Sequence, residues 1–245
     1  MMRANAGALP LHSLHAWEER WPWVQAGMTA RGDDDAPFDL RWFGGERPGA
    51  PDRWRRLREE LGFATVVHAP QVHGADVLWH AALPPGILLT DPADGHATDR
   101  FGTLLTVSVA DCVPVFLLAP EHKAIALLHA GRMGVAAGIL SRGVRAVGAV
   151  GAGAADLHVH LGPSICGTCY EVGPEVHEAL GLPRPDGPRP VDLRDRLRAQ
   201  ALAAGVPAGQ VTVSTECTRC APAGTWFSHR GGHAGRQVGY LGLRG

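Results

Sequence analysis

A chain of 245 residues with 45% hydrophobic residues can bury a substantial core without disulfide staples, as one large domain or two small ones. Lys+Arg 23 against Asp+Glu 24 leaves a formal charge of -1, so nothing electrostatic draws the chain to nucleic acid or an anionic membrane, and a small molecule is the expected partner. Asp111 interrupts the most apolar stretch, Leu104 to Leu118, and Met1 to Asn5 leads into no long apolar segment, so a cytoplasmic monomer is expected.

In chain order, residues 1–25 carry no readable periodicity, and Trp17, Trp21, Trp23 and Trp42 lie scattered among charges near the acidic run Asp33-Asp34-Asp35. Asp52 is placed to cap a helix through Leu61 that Gly62 ends. Strands are expected at Thr65 to His68 and Ala75 to Trp79, then at Leu104 to Val109, Val113 to Leu118 and Ala124 to Leu128. The last two should pair antiparallel through the polar turn Glu121-His122-Lys123. Val135, Ile139, Leu140, Val144 and Val147 predict one amphipathic helix from Gly134 to about Val147. Leu157 to Leu161 alternates as a half-buried strand does, a helix begins near Pro174, Asp192 caps another that Gly205 stops, and Val211 to Val213 returns to strand. With no repeat, linker or low-complexity tract, the expectation is an α/β (α+β) fold: a single domain over 1–245, with mixed β-sheets flanked by helices.

Five cysteines is an odd count that suits a reducing compartment. Cys166, Cys169, Cys217 and Cys220 form two Cys-x-x-Cys pairs that could hold a structural zinc, although the gap between them exceeds that of a compact zinc ribbon and buried thiols are the plainer reading.

His73 in Gln71-Val72-His73-Gly74, Cys112 after an apolar strand, and His129 before Ala130-Gly131 carry the other candidate chemistry. Two imidazoles and a thiolate form a set that Zn²⁺ accepts with a fourth position open. Taken singly, each is explained as well by structure, and the spacing matches no short metal motif. Asp111 beside Cys112 disfavours the thiolate, so an ionised Cys112 would point to a cation, and Asp111 could orient a ligand histidine or relay a proton. Gly131 would let backbone approach a substrate closely.

The blocks Gly27-Met28-Thr29-Ala30-Arg31-Gly32, Gln71-Val72-His73-Gly74, Ala110-Asp111-Cys112-Val113-Pro114, His129-Ala130-Gly131, Gly162-Pro163-Ser164-Ile165, Cys169-Tyr170-Glu171-Val172-Gly173, Phe227-Ser228-His229-Arg230 and Gly235-Arg236 run in one order over most of the chain. In these the chain resembles the YfiH-like laccase-domain family, once described as multicopper polyphenol oxidases and now as purine nucleoside phosphorylases. The resemblance implies zinc on His73, Cys112 and His129, with Asp111, Cys112 and His129 as catalytic residues. It also implies phosphorolysis of adenosine, inosine, guanosine and methylthioadenosine, and deamination of adenosine, for which activated water suits attack on C6. Purine nucleoside and phosphate would be the partners, with Arg31, Gln71, Arg230 and Arg236 binding substrate. Where the family reads His-Ala-Gly-Trp-Arg-Gly, this chain has His129-Ala130-Gly131-Arg132-Met133-Gly134, which loses an aromatic side chain and shifts the cation by one residue. Two rivals stand beside this: a cysteine-dependent hydrolase of amides such as cell-wall precursors, with Cys112 as nucleophile and His129 as base, and a metal-stabilised interaction protein. Copper is the other possible metal, although one two-histidine, one-cysteine set cannot supply the several coppers that oxygen reduction to water requires.

Overall fold

Near-continuous apolar runs such as Val113–Ala119 and Ala124–Ala130 give strands with two buried faces, and such strands must be covered on both sides. In a computed structural model that describes residues 8–33, 35–44 and 48–245, this is met by two stacked sheets with helices outside them. Met1 to Asn5, and Asp34 of the acidic run, lie outside the described residues. The elements are β1 (Leu11–Ser13), α1 (His15–Arg20), β2 (Val24–Thr29), α2 (Ala50–Leu61), β3 (Thr65–His68), β4 (Val77–His80), β5 (Gly86–Leu89), β6 (Gly95–Thr98), β7 (Thr103–Val109), β8 (Val113–Ala119), β9 (Ala124–Ala130), α3 (Arg132–Ala136), α4 (Ile139–Gly148), β10 (His158–Leu161), β11 (Glu171–Val172), α5 (Pro174–Ala179), β12 (Arg189–Pro190), α6 (Leu193–Ala203), β13 (Val211–Val213) and β14 (Gln237–Leu243). One sheet runs β1-β2-β14-β7-β3-β5, the other β13-β10-β8-β9-β6-β4, and β11 pairs with β12 alone.

Each face can be read from the side chains. Along β8, Val113, Val115, Leu117 and Ala119 join the layer under α3, α4 and α6, while Phe116 and Leu118 face the other sheet. On β9, Ile125 and Leu127 point into the same space between the sheets, where they meet Met28, Leu105, Val107 and Leu241. Trp54, Leu57 and Leu61 of α2 cover the outer face of the first sheet against Val66, Leu104 and Tyr240. Each such buried side chain contributes about 1.5–3 kcal/mol of transfer free energy, which is why both sheets stay closed over their cores.

The β8–β9 hairpin forms in the expected antiparallel sense, with Phe116 opposite Leu127. Two expectations need correction. The 134–147 segment is not one helix: α3 ends at Ala136 and α4 starts at Ile139, because Gly138 takes φ 77, a left-handed conformation that breaks the ladder. The α2 N-cap is Gly49 rather than Asp52, which sits in the first turn, while Gly62 ends the helix at φ 75 as expected. Strands β1, β2, β5, β6 and β14, and helix α1, were not legible from the sequence. Every residue of β14 is buried between β2 and β7, and its mixed sequence, with Gly239 and Gly242 among apolar residues, carries no alternation. Among the described residues, no helix is long and apolar enough to cross a membrane.

Candidate metal centre

Three strand ends converge on one point. The β8–β9 register sets Pro114 opposite His129 and Val113 opposite Ala130, so Cys112, just before β8, lies beside His129 despite the intervening hairpin. Strand β6 pairs Gly95 with Leu128, which places Asp94 against His129. His73 arrives on the loop after β3, and its Nδ1 or Nε2, the Cys112 Sγ and a ring nitrogen of His129 all lie within 4.8 Å of one another. The His73 and His129 rings meet edge-on, 4.8 Å between centroids at 80°.

Asp94, fully buried, organises this cluster. Its Oδ1 accepts from His129 Nδ1 at 2.8 Å and from the His73 backbone N–H at 3.0 Å, while Oδ2 accepts from the N–H groups of Val72 at 3.2 Å and Gly74 at 2.6 Å. The carboxylate thus fixes the His129 tautomer, leaves Nε2 for Cys112 or a metal, and pins the loop that carries His73. His73 holds φ 59 in that loop, a strained left-handed conformation of the kind that gathers at functional sites. Gln71 braces the same loop, donating from Nε2 to the Ser108 carbonyl at 2.8 Å and accepting the Ser108 N–H at 2.6 Å. Gly131 is also required by packing. A Cβ there would lie 3.0 Å from His73 Cδ2 and 3.2 Å from Cys112 Sγ, so the missing side chain makes room for the cluster.

Burial opposes ionisation of Cys112, but the His129 charge and hydrogen bonds from His129 and His73 outweigh it and pull the thiol down to about 6. Burial likewise opposes a charge on His129, yet Cys112 and Asp94 together push it up to about 9. Asp94 is held below the usual carboxylate range: burial resists, and His129 with the Gly74 and Val72 N–H groups prevails. The imidazoles therefore favour a Cys112 thiolate, and the neighbouring Asp111 does not prevent it. That donor set, one thiolate and two imidazoles with a carboxylate behind one of them, fits Zn²⁺ with an open position.

Asp111 faces elsewhere. At φ 86, its carboxylate accepts from Thr218 Oγ1 at 2.7 Å and from the Arg230 backbone N–H at 2.7 Å, and it touches neither histidine. The carboxylate that orients a candidate ligand is Asp94. The Arg230 guanidinium lies over the Tyr170 ring at 5.2 Å, and the charges of Cys112, Arg132, Arg230 and Asp111 all reach the Tyr170 hydroxyl, whose pKa is raised, chiefly by burial. Arg230 thus joins Asp111, through its backbone N–H, to the Tyr170 ring, and Arg132 opens α3 directly after Gly131. Arg236 lines a small cleft with Gln71, His68 and Ser108 that none of His73, Cys112 and His129 borders, and Arg31 Nη1 reaches His233 Nε2 at 3.4 Å beside the Phe227 ring.

Comparison with known proteins agrees with this architecture. Residues 49–244 match the sequence profile of a family described as multi-copper polyphenol oxidoreductase laccase. The chain belongs to this laccase family. It is 34% identical to the purine nucleoside phosphorylase YlmD of Geobacillus stearothermophilus, over 98% of this chain and 91% of that one. The crystal structure of YlmD superposes at TM-score 0.82 with 32% identity, covering 91% of this chain and 93% of YlmD. The Bacillus licheniformis hypothetical protein YfiH shares the fold at TM-score 0.85 and 24% identity, covering 97% and 98% of the two chains. A further relative, adenosine deaminase RL5 from an unknown prokaryotic organism, is 36% identical over 52% of this chain and 51% of its own length. Within this laccase-family chain, Asp94 is bound to the cluster through His129 and the His73 N–H, yet sequence reasoning did not select it. Asp94 sits in Asp91-Pro92-Ala93-Asp94-Gly95, which reads as an ordinary turn, and only the pairing of β6 with β9 brings it to His129.

Proposed function

We propose that this protein is a zinc-dependent purine nucleoside phosphorylase that accepts adenosine, inosine, guanosine and methylthioadenosine and also deaminates adenosine to inosine. The observation that carries the proposal is the meeting of His73, Cys112 and His129 within 4.8 Å, beside an aromatic ring and two arginines. The names of YlmD and RL5 support the reading. A zinc ion held by the three residues supplies Lewis-acid activation of water near neutral pH. The protein's own groups do the rest. Tyr170 offers its face to the purine, and Arg132 and Arg230 hold phosphate so that an oxygen is aimed at ribose C1′. Asp111, kept in place by Thr218 and Arg230, relays the proton needed by the departing base or by the ammonia lost from C6. Incubating the pure protein with adenosine, with and without phosphate, should yield adenine and ribose 1-phosphate only with phosphate, and inosine in either case. A fully zinc-loaded protein that turns over neither way would sink the proposal.

A second reading draws on a different observation. Cys112 at about 6, His129 at its side and Asp94 on His129 Nδ1 reproduce the nucleophile, base and orienting carboxylate of a thiol hydrolase. Amide hydrolysis that survives a chelator and stops with a thiol alkylator would select this alternative.

A further inference from the structure

Two loops far apart in sequence bring Cys166, Cys169, Cys217 and Cys220 together, their Sγ atoms all within 4.8 Å of one another. We propose that these four cysteines hold a structural zinc ion, separate from the His73 cluster, which clamps the 164–170 loop to the 214–220 loop and thereby fixes Asp111.

The spacing is that of a metal site and not of disulfides. A tetrahedral zinc with Zn–S near 2.3 Å has sulfurs about 3.8 Å apart. Cys166 Sγ and Cys220 Sγ stand at 4.0 Å, about twice a disulfide bond length. All five cysteines are free.

Donors already surround the sulfurs as they would surround thiolates. Cys217 Sγ, buried, accepts the backbone N–H groups of Cys166 at 3.3 Å, Arg219 at 3.4 Å and Cys220 at 3.4 Å. Three N–H groups aimed at one buried sulfur form the hydrogen-bonded surround that a metal-bound cysteine sulfur would use. Cys166 Sγ has the Thr168 hydroxyl at 3.0 Å.

The two loops are also set in place from behind. Asp192 Oδ2 accepts the Gly167 N–H at 3.1 Å, and its buried ion-pair partner Arg194 donates to the Ser214 carbonyl at 2.8 Å and the Glu216 carbonyl at 2.9 Å. One ion pair at the start of α6 thus grips both cysteine loops. Arg194 and Arg219, whose Nη1 donates to the Cys169 carbonyl at 3.0 Å, supply positive charge beside a centre that would carry two net negative charges.

The link to the other site is short. Thr218, inside the second Cys-x-x-Cys, donates to Asp111 Oδ1, its N–H binds the Ser164 carbonyl, and the Ile165 N–H binds the Asp111 carbonyl. Thr218 and Ile165 are therefore positioning residues for Asp111, and the metal would hold them.

The test is zinc content by mass spectrometry, with X-ray absorption, on protein purified with Zn²⁺ and desalted. The wild type should hold two zinc ions per chain with an average shell of about 2.5 sulfurs, against one sulfur for a lone His73 centre. The variant His73→Ala/His129→Ala should keep one zinc bound by four sulfurs, and Cys166→Ser/Cys220→Ser should keep one with a nitrogen-rich shell. One zinc in the wild type with a single sulfur neighbour overturns the proposal, even if both variants fail to fold. So does a thiol count showing disulfides among the four. Retention of the four-sulfur zinc in His73→Ala/His129→Ala, with nucleoside turnover lost or never present, separates this inference from the proposed function.

Discussion

Replacing Asp94 by Asn keeps the shape of the side chain and removes its second acceptor. If the retained oxygen stays on His129 Nδ1 and the His73 N–H, the new NH₂ faces the N–H groups of Val72 and Gly74, now bound at 3.2 Å and 2.6 Å. Two charge-assisted bonds become donor–donor contacts, each costing roughly 1–3 kcal/mol, and the exposure of Val72 lets water recover part of one, so the net is about 2–4 kcal/mol. The loop carrying His73 loosens, and His129 loses the negative charge that raises its basicity. Weakening of a carboxylate behind a metal-binding histidine typically lowers metal affinity 10–100-fold. Competition with a chromophoric chelator measures that affinity, and urea unfolding measures stability in parallel. Asp111→Asn, which leaves His73 and His129 untouched, should change zinc affinity by less than threefold. If Asp94→Asn binds zinc within twofold of wild type and unfolds at the same urea concentration, the account of Asp94 as organiser is wrong.

Gly131→Ala should fold and lose at least tenfold in zinc affinity, since its Cβ would lie 3.0 Å from His73 Cδ2 and 3.2 Å from Cys112 Sγ; undiminished binding in the same chelator competition would show the cluster can shift freely. Gly138→Ala discriminates between the helix expected from the sequence and the one observed. In a continuous helix alanine would stabilise by about 1 kcal/mol, whereas at φ 77 with nothing within 4 Å it should destabilise by about 1–2 kcal/mol, and thermal unfolding reads the sign. His68, buried between Trp54 and Phe43, is pushed down from 6.5 to about 4, chiefly by burial. Its folded pKa lies below its unfolded one, so its contribution is complete above pH 6.5 and is lost as pH falls toward 4, about 2 kcal/mol by pH 5. His68→Gln should flatten the stability profile over that window, and a proton resonance titrating near 6.5 would contradict the assignment.

The elements most legible in the sequence were those whose pattern is local. β8 and β9 could be read from their apolar runs, β10 from its alternation, α6 from its Asp192 cap, and the β8–β9 hairpin from the three polar residues between its strands. That hairpin alone nearly places Cys112 beside His129, because an antiparallel register maps sequence distance onto spatial proximity. The sequence also determined the donor types, since only sulfur and imidazole chemistry distinguishes His73, Cys112 and His129 from their neighbours. Tertiary structure alone decided the rest. β14 is buried on both faces and needs no alternation, Gly138 breaks a helix whose apolar stripe continues across it, and Asp94 meets His129 only through the β6–β9 pairing, although 35 positions separate them in sequence. The four paired cysteines show the same division. Their spacing in sequence gave two separate pairs, and their meeting depends on the Asp192–Arg194 ion pair and the Ser164–Cys217 bridge, long-range contacts whose free energy exists only once the whole chain has closed.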